Sequence, residues 1–239
     1  SSSGHLILLP GLTGLADQGQ LIDVSVHIGT LAAVVLYFRS DVREALSGLP
    51  QLACGRCSTR GARLALGLIV ATLPLAAFGA FLHFSGLSEA LRSIKVIGWT
   101  MLGFGLLLYW ADRKGTGSKT AGGWTPAEAL KLGLWQMIAL IPGTSRSGIT
   151  ITGARFMGYG REEGARIAML MSVPAIIASG TLLGAEAAIE ANPQVLRDMG
   201  VAAVLAMLSA LAALSLMMRL LKSVSFTPYV IYRVILGLV

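Results

Sequence analysis

The stretch LIPGTSRSGITITGARFMG, Leu140 to Gly158, lies in a mostly apolar chain. Yet between Pro142 and Gly148 it holds one arginine, three hydroxyl side chains and two glycines. An arginine in such a setting needs a reason, because a guanidinium at membrane depth is costly and marks a functional site by default. Ser145, Ser147 and Thr150 are small donors around Arg146. Gly143 and Gly148 allow close backbone approach. A helix beginning just after Pro142-Gly143 would aim its free N–H groups and its dipole at the same point. Such a point attracts an anion, and the planar guanidinium fork suits phosphate.

The setting is membrane-like. The 239 residues are 54% hydrophobic and 13% charged, with mean hydropathy +0.72. A soluble domain carries about 25% charged residues, so composition places the chain among all-α integral membrane proteins. The net charge of +7 fits basic membrane loops better than nucleic-acid binding, and no nucleic-acid partner is expected. Cys54 and Cys57 form a lone CGRC with no second ligand pair, read as an incidental loop feature. GTGSKT (115–120) lacks the glycines of a P-loop, having Arg113 and Ser118 in their places.

About six stretches are long enough to span a bilayer: 21–38, 62–84, 94–110, 165–188, 199–221 and 226–239. The last is expected to continue past Val239, and native sequence is expected upstream of Ser1. Basic residues mark the cytoplasmic loops: Arg39, Arg43, Arg56, Arg60 and Arg63 in 39–63, Arg113, Lys114 and Lys119 in 111–120, and Arg155, Arg161 and Arg166 in 155–166. With 111–120 and 155–166 on one side, the stretch between them enters and leaves by that side. It therefore reads as a re-entrant hairpin, 127–154. Irregular backbone at membrane depth is tolerated where it lines a cavity.

The chain start resembles a second copy of the tip, with SSSGH (1–5) against TSRSG (144–148). Each copy is followed by a broken apolar piece and three spans. The expectation is one membrane domain built as an inverted repeat, 1–110 and 111–239, with two re-entrant helical hairpins meeting near mid-membrane. At the first tip, Ser2 and His5 share a helical face. They form a minimal nucleophile–base pair, or His5 attacks phosphorus and Ser2 binds the phosphoryl group. His27 is expected to hydrogen-bond another helix, with the cavity as the minority position, and His83 to sit at the interface. These residues alone suit a hydrolase or a transporter of the same anion.

SSSGH, LIDVSVHIGTLAAVVLYF and above all PGTSRSGITITGARFMG resemble the bacterial undecaprenyl-diphosphatase family, the bacitracin-resistance proteins. The resemblance covers nearly the whole chain in span order. It implies hydrolysis of undecaprenyl diphosphate to the monophosphate in the bacterial inner membrane, recycling the lipid carrier for peptidoglycan; a polyprenyl-phosphate flippase is the alternative. By resemblance, Ser2, His5 and Arg146 are catalytic, and Ser1, Ser3, Ser145, Ser147, Gly148 and Thr150 bind phosphate. Gln136 and His27 are supporting residues. A Mg2+ or Ca2+ ion is implied, with its acidic ligands expected upstream of Ser1 and none in this chain. The partners implied are the lipid substrate, membrane lipid and a second copy of the chain as homodimer.

Overall fold

The structure is a computed structural model that describes residues 19–86, 93–187 and 193–238. The described residues are helical, with an isolated bridge between Lys119 and Tyr159 as their only β pairing. The helices are α1 (Gly19–Tyr37), α2 (Arg39–Ala53), α3 (Arg60–Ser85), α4 (Ile94–Lys114), α5 (Pro126–Met137), α6 (Arg146–Phe156), α7 (Arg161–Ala187), α8 (Pro193–Leu220) and α9 (Thr227–Leu238).

Helices stand at all six stretches expected to span. By length and composition, Arg60–Ser85 and Gln194–Leu220 can cross a membrane alone. Leu21–Tyr37 passes only together with Arg39–Ala53, across a 90° bend. That bend corrects the reading of 39–63 as a loop. Residues 39–53 are rich in helix formers and alternate Arg39, Arg43 and Glu44 with Val42, Ala45 and Leu52. They form a helix that turns away from the span instead of a coil.

Many large apolar side chains face outward, among them Phe84 (85% exposed) and Trp99 (75%), with Leu205, Ile235 and Leu238. A water-soluble monomer rarely shows so much apolar surface, whereas hydrocarbon solvates it. Together with the apolar helices, this makes the chain a membrane protein.

The polar tip helix sits at the centre. α6 packs against α4, α5 and α7, and every residue from Gly148 to Arg155 is buried. α5 and α6 are the limbs of the expected hairpin, separated by the 3-10 turn Ile138–Leu140 and the irregular residues 141–145. A capping box starts α5: Thr125 Oγ1 accepts from Glu128 N, and Glu128 accepts from Thr125 N. That arrangement satisfies two otherwise orphaned donors.

The feet of the hairpin meet. Lys119 N donates to Gly158 O at 3.0 Å, and Gly160 N donates to Lys119 O at 3.1 Å. Asp112, at the end of α4, lies within ion-pair range of Arg155 and Arg161 and accepts from Phe226 N. The chain therefore leaves for the tip and returns to the same end of the molecule. Arg155, Arg161 and Arg166, counted in the sequence as loop charge, are also structural. The first two engage Asp112, and Arg166 pairs with Asp41 and Glu163.

Candidate functional site

The tip begins where a helix cannot continue. Pro142 cannot donate a backbone hydrogen bond, and Gly143 adopts φ +85. A Cβ on Gly143 would lie 2.3 Å from Thr100 Oγ1 and 2.7 Å from Ile97 O. Only glycine lets the turn seat against α4, where Thr100 Oγ1 also donates to Pro142 O at 2.6 Å.

Ser145 follows at φ +69, the one non-glycine residue with positive φ among the described residues. Such conformations cost on the order of 1–3 kcal/mol and cluster at ligand sites. Here the strain places Ser145 as the N-cap of α6: its carbonyl accepts from Ile149 N, and its hydroxyl accepts from Gly148 N at 3.3 Å. The amides of Arg146 and Ser147 are left without partners among the described residues, as helix geometry dictates for the first turn.

Arg146 is half-buried, and its guanidinium has no hydrogen bond or ion pair among the described residues. Ser147 is likewise half-buried. Thr150 is fully buried, and its hydroxyl donates to Arg146 O at 2.9 Å. It serves the helix backbone, not the open side of the tip. Gln136, at the end of α5, is fully buried with neither amide atom partnered, and so is the Thr144 hydroxyl. Buried polar atoms without partners are rare in native proteins; here Thr144 belongs to the loop itself, and Gln136 stands near the end of the helix that leads into it.

His27 does not reach another helix. Its Nδ1 pairs with Asp23 O at 2.7 Å within α1. That carbonyl lies four residues back on the same helix, where the helical repeat brings it within reach of the ring. Ser1, Ser2, Ser3 and His5 lie outside the described residues. Among the described residues, no group of three or more His, Cys, Asp or Glu side chains could hold a metal ion.

Two site residues escaped the sequence reading. Tyr229 and Arg233 stand one turn apart on α9. The Tyr229 and Ser145 hydroxyls are 3.2 Å apart, and Arg233 Nη2 donates to Gly143 O at 2.9 Å. The signal was available: Arg233 is the only charged residue in 226–239, and the rule that singled out Arg146 applies equally to it.

Among the described residues the arrangement offers cations and helix amides with no acid set against them, which suits a phosphate-bearing ligand. Comparison with known proteins agrees. A family model described as bacitracin resistance protein BacA matches residues 1–239. The undecaprenyl-diphosphatase of Ruegeria sp. (strain TM1040) is 70% identical over 239 residues, covering 100% of this chain and 90% of that protein. That of Ruegeria pomeroyi is also 70% identical with the same coverage. More distantly, the undecaprenyl-diphosphatase of Hahella chejuensis is 42% identical over 237 residues, 99% of this chain and 88% of that protein.

Proposed function

Because the chain belongs to the bacitracin resistance protein BacA family, we propose that it hydrolyses undecaprenyl diphosphate to undecaprenyl phosphate and inorganic phosphate. The observation that carries this reading is the 70% identity to an undecaprenyl-diphosphatase across the whole chain.

The chemistry follows from the residues. Arg146 and the first amides of α6 hold the non-bridging oxygens of the terminal phosphoryl group and stabilise the charge that builds there. Ser2 or His5 attacks the terminal phosphorus, the bridging P–O bond breaks, and the lipid monophosphate leaves carrying the electron pair. Water then attacks the phospho-enzyme and releases phosphate. A Mg2+ or Ca2+ ion belongs to this proposal as a neutraliser of the diphosphate charge. The described residues do not form its site.

The same reading makes the protein a multi-pass component of the bacterial inner membrane. Its six spans and two re-entrant hairpins form an inverted repeat. It recycles the lipid carrier for peptidoglycan and raises bacitracin tolerance, because bacitracin sequesters the diphosphate form. The outward apolar surface supports a substrate with a long hydrocarbon tail.

The test is phosphate release from a polyprenyl diphosphate by the purified full-length protein, with and without Mg2+ or Ca2+, beside His5→Ala, Ser2→Ala and Arg146→Ala. Release in the wild type that is lost with Arg146→Ala is expected. Bound lipid with no release from the wild type overturns the reading.

A further inference from the structure

We infer that Arg233 is a second anion-binding guanidinium of this site, and that it makes a diphosphate a better ligand than a monophosphate. The inference rests on the polyprenyl-diphosphate reading above and deepens it. Its starting point is an imbalance. Arg233 is 1% exposed, and its Nη2 donates to Gly143 O. Its Nε and Nη1 have no partner, and no carboxylate pairs with it among the described residues. A buried charge without a counter-charge is strongly destabilising.

The other buried arginine shows what a purely structural role looks like. Arg155 donates to the carbonyls of Tyr159, Asp112 and Gly115 and pairs with the Asp112 carboxylate. Arg233 has one carbonyl and the neighbouring Tyr229 phenol, and nothing anionic among the described residues. It also stands at the wrong end of a helix for a cation. A Cβ on Gly148, the third residue of α6, would lie 2.9 Å from Arg233 Nη1 and 3.2 Å from Ser145 Oγ. The guanidinium is therefore set against the positive end of the α6 dipole, which disfavours it further. An anion at the tip relieves both penalties together.

Position explains the preference for two phosphates. Arg146 begins α6, two residues before Gly148, and its guanidinium is also unpartnered among the described residues. The tip thus holds two cations and free helix amides. A monophosphate can be served by one guanidinium and the amides. A diphosphate carries a second charged group on the adjoining phosphorus, and Arg233 supplies the charge to match it. Tyr229, one turn earlier on α9, lies beside the guanidinium and places its hydroxyl against Ser145, which keeps the two elements in register.

The experiment measures binding of inorganic pyrophosphate and inorganic phosphate to the purified full-length protein by calorimetry, and their inhibition of polyprenyl diphosphate turnover. The wild type is expected to prefer pyrophosphate. Arg233→Gln removes the charge and, being two atoms shorter, also gives up the bond from Nη2 to the Gly143 carbonyl. It should lose roughly 10–100-fold in pyrophosphate affinity and only about threefold in phosphate affinity, the loss expected for one charge-assisted contact. An unchanged ratio of the two affinities overturns the inference. Equal weakening of both anions also overturns it, because a tip that has merely loosened behaves that way. Where Arg233→Gln does not fold, Arg233→Lys is read on the same ratio. It keeps a point charge without the fork, so a fall of about threefold supports the inference and no change overturns it. Calorimetry needs no turnover. If polyprenyl diphosphate is not the substrate, wild-type phosphate release fails while the anion ratio still reads Arg233.

Discussion

Arg155 and Asp112 form a buried ion pair, Nε to Oδ1 3.2 Å, that joins the foot of the tip helix to the end of α4. Their side chains are 5% and 3% exposed. Arg161 Nε also reaches the same carboxylate oxygen, at 2.7 Å. Breaking one partner of a buried pair leaves the other charge uncompensated, at a cost of about 3–5 kcal/mol. Asp112→Asn is therefore expected to lower the melting temperature of the detergent-purified protein sharply. Asp112→Asn combined with Arg155→Met should be less damaging than the single change. A single variant that melts like the wild type would disprove the role given to the pair.

The turn at Gly143 has no room for a side chain and uses a left-handed backbone. Gly143→Ala has to move Thr100 and strain φ, for a loss of roughly 2 kcal/mol or more. Gly103, on α4, has open space where a Cβ would go, so Gly103→Ala serves as the control and should be neutral or slightly stabilising. Comparable folding yields and melting temperatures for the two variants would contradict this account of the turn.

Arg146 separates function from stability. Its guanidinium engages no described residue, so Arg146→Ala should leave the melting temperature near that of the wild type. Phosphate release should fall by about 10²–10³-fold, the loss seen when one preorganised transition-state donor is removed. A large drop in melting temperature would instead mean that Arg146 is a structural residue.

The capping carboxylate of α5 gives a pH signature. Burial raises the Glu128 pKa, but hydrogen bonds from Lys119, the Thr125 amide and the Tyr159 hydroxyl outweigh it, leaving the carboxyl below its ordinary value of 4.5. A depressed carboxylate pKa contributes stability that is present above the unfolded value and is lost as pH falls through the folded one. Glu128→Ala should cost about 1–2 kcal/mol at pH 7 through the lost cap and ion pair. The gap between variant and wild type should narrow below pH 4.5. Melting curves of both proteins from neutral pH down through 4.5 check this, and a gap independent of pH would refute it.

Much of the architecture was legible because it follows from local rules. Helices appear at all six apolar stretches, since apolar runs of that length bury best as helices in lipid. The hairpin limbs could be placed from Pro142-Gly143 and from loop charge, and Lys119 indeed pairs with Gly158 and Gly160. The bend after Tyr37 was not legible, because the basic residues that suggest a loop also suit a surface helix.

Taken alone, the sequence determined that this is a helical membrane protein with an arginine, Arg146, set in a polar loop flanked by glycines. Composition, hydropathy and the spacing of PGTSRSG are properties of neighbouring residues, and they need no partner to be read. Only the tertiary structure decided what stands around that arginine. Arg233 is 90 residues from Gly143 in sequence, and Thr150 could have faced the tip or its own helix. Whether a buried guanidinium is paired or left open depends on which distant groups the packing delivers to it. That is a long-range outcome, which no local pattern encodes.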